Sequence, residues 1–267
     1  MLLPYKSLEE LLNHFPFSKV LLFTTEFFLL VLYSAMLSAS SEVLMKMFSL
    51  NKLTGTFITA LAVTFIILKG YSSISDLSEV LFIPIVLIIF IISLTTTEKS
   101  VSIPPPTVVT PRALLSPLIY VSYNMLTTIP LLITIPDKHM YRNCGNQVGI
   151  VIFILSAMLI MPLYTHYSDV SSATLPLMEL LTGKIKYLYE VLLILAIFST
   201  AVSAAYAILN SANNKGTVKK AVLINCIAVI ISFLGFNTLV NKVYFIFGIA
   251  GILLFVVLFL PKRQNLK

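Results

Sequence analysis

The chain has 267 residues, of which 58% are hydrophobic and only 11% are charged. Soluble domains carry roughly 25% charged residues, so this composition excludes an ordinary soluble protein and indicates a polytopic membrane protein in a lipid bilayer. The net charge of +7 does not indicate a nucleic-acid partner, because the basic residues are scattered through short connections between apolar runs, as positive-inside topology places them.

The N-terminal segment, residues 1–18, is the first predicted element. Ser7 and Glu10 have the spacing of a capping box, and Leu8, Leu11 and Leu12 have the spacing of one apolar helix face beside the two glutamates. We expect a short amphipathic helix on the cytoplasmic face of the membrane. The acids and proline at the start do not fit a signal peptide, so no cleavage is expected.

Eight apolar stretches follow, each close to the ~20 residues that a membrane-spanning helix needs. They cover residues 20–45, 53–68, 79–94, 114–136, 147–166, 187–209, 218–234 and 240–260. The sequence therefore predicts an all-α fold. It is a single integral membrane domain over residues 1–267, built as a polytopic bundle of eight transmembrane helices.

Basic residues in the connections predict the orientation. Eleven of the 18 Lys and Arg residues fall on one side of the predicted spans. The clearest clusters are Lys215 to Lys220 and the Lys262-Arg263 tail. We expect a multi-pass protein of the cell membrane with both termini cytoplasmic.

The predicted span at 114–136 carries unusual residues for a membrane helix, including Pro117 and Pro130. Proline removes a backbone N–H, and Ser or Asn side chains compete with the helical ladder. One interpretation is a broken helix, interrupted between Tyr120 and Asn124, whose two halves form a substrate site. The other is a kinked structural helix. The candidate substrate-binding residues are Tyr120, Ser122, Tyr123 and Asn124.

Residues 168–186 form a predicted outside loop with a short helix that ends near Gly183. Two interpretations are open for this loop. It is either a surface connection or a lid over an external vestibule.

Ionisable and amide side chains within spans are costly and often mark pathways. Glu26 lies ~9 Å from the cytoplasmic start of its span, at 1.5 Å per residue. It either reaches the headgroups or a lysine, or takes part in a proton relay or gate. Glu190 lies near a predicted span start, which favours an interfacial or capping role. Asn225 lies deeper within its span, where we expect its side chain to form an interhelical hydrogen bond worth ~1 kcal/mol.

The sixth span places Ser199 and Ser203 on one face, with Thr200 beside them. Small hydroxyl residues commonly allow close helix packing. Together with the carbonyl of Ala196 they also make half of an oxygen-only site for Na⁺. The candidate ion-binding residues are therefore Ala196, Ser199, Thr200 and Ser203.

The sequence does not contain the motifs of a disulfide framework, a metal site or an enzyme active site. Cys144 and Cys226 lie in different environments, so neither a disulfide framework nor a metal site is indicated. The sequence shows no Ser-His-Asp set, metal-ligand cluster or glycine-rich phosphate loop. We expect no enzyme and no cofactor, other than Na⁺ or H⁺ as a coupling ion.

Three stretches carry a family resemblance: SPLIYVSYNMLTTIPLL at 116–132, residues 175–209, and GFNTLVNKVYFIFGIAGILLF at 235–255. They resemble the YkvI-like bacterial membrane proteins of the amino acid-polyamine-organocation superfamily, which has the LeuT-type fold. This resemblance implies ten helices in two inverted repeats. The eight spans here match helices three to ten, and the first two are lacking. It further implies that the sixth span matches the helix whose carbonyl and hydroxyls hold sodium.

The resemblance implies a cation-coupled secondary transporter of a small organic solute such as an amino acid. A separate chain carrying the two missing helices is then a candidate partner. Two alternatives are open: a non-transporting sensor or receptor subunit like the spore-germination proteins, and an inactive remnant.

Overall fold

The structure, a computed structural model, describes residues 7–13, 17–96, 111–133, 144–166, 177, 180–211 and 218–259. Within these ranges the regular secondary structure is α-helical, as predicted. The helices are α1 (Leu8–Leu12), α2 (Ser18–Phe48), α3 (Lys52–Lys69), α4 (Tyr71–Thr96), α5 (Pro111–Ile133), α6 (Cys144–Thr165), α7 (Gly183–Leu209), α8 (Val218–Ser232) and α9 (Phe236–Phe259).

Six helices, α2 to α7, are long and apolar enough to cross a membrane. Several such helices in one chain make this an integral membrane protein. The predicted span at 218–234 corresponds to α8, which has 15 residues and is shorter than the ~20 that a bilayer requires. The predicted count of eight spans, and its match to a LeuT-type bundle, is therefore not confirmed.

Helix α2 lies at the centre of the bundle. It packs against α1, α3, α5, α7, α8 and α9. Apart from Met36, every residue from 31 to 41 is buried. This segment is rich in serine and alanine, and small side chains let neighbouring helices approach closely on all sides.

The contact between α2 and α3 shows this close approach. A Cβ added at Gly55 would lie 3.1 Å from the Cα of Ser41. One turn away, the hydroxyls of Ser40 and Thr59 are 2.6 Å apart and share a hydrogen bond. The glycine brings the backbones together, and the hydroxyl pair fixes their register.

Helix α5 corrects the prediction of a broken helix. Pro111–Ile133 is one α-helix, so an interruption between Tyr120 and Asn124 is wrong. Pro130 lies in the last turn, and Pro117 lies six residues after the first helical residue. Both prolines therefore disturb the ends of the helix more than its middle. Residues 134–136 of the predicted span lie outside the described residues.

Polar side chains of α5 bond back to its own helix. Ser122 Oγ donates to the Leu118 carbonyl at 2.6 Å, and Asn124 Nδ2 donates to the Tyr120 carbonyl at 2.7 Å. Such bonds to the carbonyl four residues earlier satisfy the side chain without opening the ladder. The polar residues that predicted a break are thus compatible with a continuous helix.

Helix α1 lies within the predicted amphipathic segment, residues 1–18. The Ser7 hydroxyl accepts a hydrogen bond from the Glu10 amide at 3.1 Å, which confirms the cap. Leu8, Leu11 and Leu12 are buried in the main hydrophobic core. The apolar face of the helix therefore packs against the bundle, and its position at the cytoplasmic face of the membrane stays a prediction.

Candidate functional site

A cavity of about 880 Å³ lies between α2, α7 and the start of α9. On α2 it runs from Met36 to Lys46, and on α7 from Lys186 to Ile197. At 1.5 Å per residue, Met36 and Ile197 are roughly 18–21 Å along the helices from Phe48 and Gly183, the ends of α2 and α7 that border the cavity. The cavity thus reaches well into the bundle.

The antiparallel packing of α2 and α7 produces this geometry. The C-terminal part of α2 and the N-terminal part of α7 line the same cavity. At the other end, Glu26 near the start of α2 contacts Ser211, just after α7. The two helices therefore run in opposite directions, with the cavity at one end of the pair.

Four charged side chains line the cavity: Glu42 and Lys46 from α2, and Lys186 and Glu190 from α7. In each pair the residues are four apart, so they share one helix face. Glu42, Lys186 and Glu190 are half-buried, and Lys46 is exposed. Within the described ranges, none of the four forms an ion pair or hydrogen bond with another residue.

Charges at a partly buried surface are costly where they gain no partner, as is the case for these four among the described residues, because the protein replaces part of their hydration. The rest of the lining is mainly apolar, and includes Met36, Ala39, Val43, Leu193, Ile197 and Phe236. An apolar cavity with a few convergent charges is the usual form of a small-molecule site. The arrangement can hold a small solute by its charged groups.

The predicted substrate residues do not line this cavity. Tyr120 is 61% exposed, and its ring makes an edge contact with Tyr123 at 5.2 Å. Tyr123 also lies beside Phe28 of α2, with ring centroids 6.4 Å apart. The structure thus brings Tyr120 and Tyr123 together on α5, while Ser122 and Asn124 bond to their own helix.

The predicted ion-binding residues lie on α7, where the cavity lining ends: Ala196 precedes the lining residue Ile197, and Ser199, Thr200 and Ser203 follow it. Thr200 Oγ1 donates to the carbonyl of Ala196 at 2.9 Å. Ser199, Thr200 and Ser203 are half-buried. Their role in ion binding stays a prediction. Among the described residues, no group of three His, Cys, Asp or Glu is arranged for a metal ion.

The opposite end of the bundle is tied together by polar contacts. The Ser211 hydroxyl donates to the Glu26 carboxylate, and the Ser211 carbonyl accepts from the Glu9 amide at 3.2 Å. Lys220 Nζ donates to the Leu209 carbonyl at 3.1 Å. Here α1, α2 and the segments around the end of α7 are joined.

The four cavity charges were missed by the sequence reasoning. The span predicted from the sequence begins at Tyr187, so that Glu190 lies near its start. The helix begins at Gly183, so Glu190 lies two turns inside it. A usable signal was present: opposite charges four residues apart at the end of one span and again at the start of another.

The predicted outside loop, residues 168–186, lies largely outside the described residues. Leu177, Leu180 and Leu181 are described and are buried in a second hydrophobic cluster with α4 and α7. Leu181 and Thr182 also line the cavity. The end of the loop therefore contributes to the cavity wall, whereas the lid and surface interpretations both stay predictions.

Comparison with known proteins adds no assignment: no family model, curated protein or solved structure matches the chain. The resemblance to the YkvI-like proteins consequently has no support from these comparisons. Interpretation of the function therefore depends on the residues that line the cavity.

Proposed function

We propose that this membrane protein transports a small organic solute, such as an amino acid, and that the cavity between α2, α7 and α9 is its solute site. The observation that carries the proposal is a mainly apolar cavity with four charged side chains that pair with no other residue in the described part of the chain. Ionisable residues within membrane helices are costly and usually functional.

The dimensions of the cavity support a small solute. Its volume of about 880 Å³ falls within the usual range of roughly 300–1,000 Å³ for small-molecule sites. Its lining extends from near the ends of α2 and α7 towards the middle of α2. A solute bound there has already covered part of the path across the membrane.

Coupling to a cation is part of the proposal. Helix α7 carries both Lys186 and Glu190 of the cavity and the candidate ion residues Ala196, Ser199, Thr200 and Ser203. A shift of this one helix would connect solute binding to the ion site. Na⁺ suits the hydroxyl and carbonyl oxygens there, whereas H⁺ would suit Glu26.

A non-transporting sensor or receptor subunit is the second candidate. The specific observation in its favour is the contrast between the two ends of α2. One end borders the cavity, and the other is tied to α1 and Ser211. A receptor needs a solute site open to one side only.

Uptake by the reconstituted full chain distinguishes these functions. Proteoliposomes would be given an equimolar mixture of radiolabelled L-amino acids, with and without a sodium or proton gradient. A transporter accumulates label when the gradient is present, and the double variant Glu42→Gln, Glu190→Gln does not. Lys184→Gln, on the same helix but outside the cavity lining, is the matched control. Binding of a labelled amino acid without uptake would reject transport and favour the receptor.

A further inference from the structure

The four cavity charges lie at two depths. Lys46 is two residues from the end of α2, and Lys186 is three residues from the start of α7. Glu42 and Glu190 are each one turn deeper on the same faces. Because α2 and α7 are antiparallel, both lysines lie near the same end of the helix pair and both glutamates lie one turn further from that end.

Like charges therefore share each level of the cavity. Glu42 and Glu190 are six and seven residues from the ends of α2 and α7 that border the cavity, and Lys46 and Lys186 are two and three residues from them. Two like charges at one level repel each other, and an opposite charge placed between them relieves the repulsion. A cationic group would therefore bind favourably between the two glutamates of the inner level, and an anionic group between the two lysines of the outer level.

The spacing of the levels sets the length of the ligand. Four residues of α-helix rise about 6 Å. With carbon–carbon bonds of ~1.5 Å, an α-amino acid separates its nitrogen from its carboxyl carbon by only about 2.5 Å, whereas an extended 5-aminopentanoate separates them by about 6 Å. The longer zwitterion matches the two levels.

Ala39 and Val43 on α2 and Leu193 on α7 give the cavity apolar walls near the glutamates. Thr182 and Asn237, the uncharged polar residues of the lining, lie at the starts of α7 and α9. Methylene groups can pack against the apolar side chains without losing hydrogen bonds to water, whereas a peptide bond beside them would lose part of its hydration. The surroundings thus favour a methylene chain over a dipeptide of equal length.

We propose that the cavity binds an extended zwitterion of the ω-amino acid class, with its ammonium between Glu42 and Glu190 and its carboxylate between Lys46 and Lys186. This inference rests on the proposed function of the cavity and names its substrate class. It depends on the placement of the four charges and on no feature of the predicted site in α5.

Isothermal titration of the full chain in detergent micelles tests the proposal. The probes are 5-aminopentanoate, glycine, pentanoate, pentylamine and diglycine, which spans as many bonds as 5-aminopentanoate but contains an amide. We expect 5-aminopentanoate to bind at least about tenfold more tightly than each of the others, since loss of one charge-assisted contact has roughly this effect. Equal affinity for glycine, for diglycine or for either singly charged probe would overturn the proposal.

Double variants test which end of the ligand binds to the glutamates and which end binds to the lysines. In Glu42→Gln, Glu190→Gln the preference for 5-aminopentanoate over pentanoate should disappear. In Lys46→Met, Lys186→Met the preference over pentylamine should disappear. Lys184→Gln should keep both preferences. Unchanged preferences in the double variants would contradict the assignment, and the wild-type probe series decides the question if a double variant does not fold.

Different results would reject the proposed ligand class and the proposed transport function. Tight binding of 5-aminopentanoate without its uptake into proteoliposomes supports the ligand class and rejects transport. Uptake of the L-amino-acid mixture, with no preference for 5-aminopentanoate over glycine in binding, supports transport and rejects the ligand class.

Discussion

The hydroxyl of Ser211 donates a hydrogen bond to the carboxylate of Glu26, joining two residues 185 positions apart in the chain. Glu26 is half-buried near the start of α2, and Ser211 is buried just after α7. The Ser211 carbonyl also accepts the Glu9 amide of α1. One serine thus connects three segments at the end of the bundle opposite the cavity.

Removing this hydroxyl should loosen that end. We expect Ser211→Ala to lower the free energy of unfolding by about 1 kcal/mol, since Glu26 is half-buried and retains partial hydration. Chemical denaturation of the purified protein in detergent measures the change. Thr64→Ala is the control, because that hydroxyl bonds only to the Ala60 carbonyl of its own helix. An equal change in both variants would argue against a special role for Ser211.

The second prediction concerns Tyr33 and Asn225, which join α2 to α8. Tyr33 Oη donates to Asn225 Oδ1 at 2.5 Å, and Tyr33 is fully buried. A double-mutant cycle with Tyr33→Phe and Asn225→Ala should give a coupling of about 1 kcal/mol, typical of hydrogen bonds between membrane helices. Tyr187→Phe, at an exposed position of α7, should change stability little. A coupling indistinguishable from zero would show that the bond does not contribute.

Glycines of α9 allow it to cross α5 at very short range. A Cβ at Gly251 would lie 2.1 Å from the carbonyl oxygen of Ser122, and one at Gly248 would lie 2.3 Å from a methyl of Ile119. Backbone atoms cannot rotate away, so Gly251→Ala should destabilise the protein by ~1–3 kcal/mol or more, as overpacking does.

Gly149→Ala in α6 is the matched control for this prediction, because no atom lies within 4 Å of the added methyl. Alanine also favours helix over glycine by up to ~1 kcal/mol. Thermal unfolding followed by gel filtration should therefore separate the two variants. A Gly251→Ala protein as stable as Gly149→Ala would contradict the close crossing.

The orientation in the membrane is open to a labelling test. In a background without Cys144 and Cys226, single cysteines would be placed at Asn13 and Lys184, both exposed. We expect Lys184→Cys to react with a membrane-impermeant maleimide in intact cells and Asn13→Cys to react only after lysis. Reaction of Asn13→Cys in intact cells would contradict cytoplasmic placement of the N-terminal segment.

Much of the fold could be predicted from the sequence, because apolar runs of bilayer length define helices without reference to their neighbours. The bond of Asn225 to another helix was also predicted and is confirmed, since an amide within an apolar membrane helix needs a partner. These inferences depend on local composition alone.

Inferences that depend on tertiary contacts were less successful. Ser122 and Asn124 predicted a helix break, but their side chains bond to carbonyls of the preceding turn. The amphipathic pattern of α1 predicted a helix at the membrane face but did not show that Leu12 is buried within the bundle. Both patterns are compatible with two surroundings, and only the packing decides between them.

The cavity could not be located from the sequence for the same reason. Glu42 and Glu190 are 148 residues apart, and nothing local shows that α2 and α7 pack antiparallel. Each pair of opposite charges also resembles a solvated helix face. Only the shared cavity shows that the two pairs belong to one site.

Protection of a cysteine by solute tests the central claim, that the solute binds in this cavity. In the cysteine-free background, Thr182→Cys lies in the cavity lining and Lys184→Cys lies just outside it. Alkylation by N-ethylmaleimide would be timed with and without a mixture of L-amino acids and 5-aminopentanoate. We predict that saturating solute slows the reaction at Thr182→Cys by about tenfold and leaves Lys184→Cys unchanged. Equal rates at Thr182→Cys with and without the mixture, in protein that takes up solute, would contradict the claim.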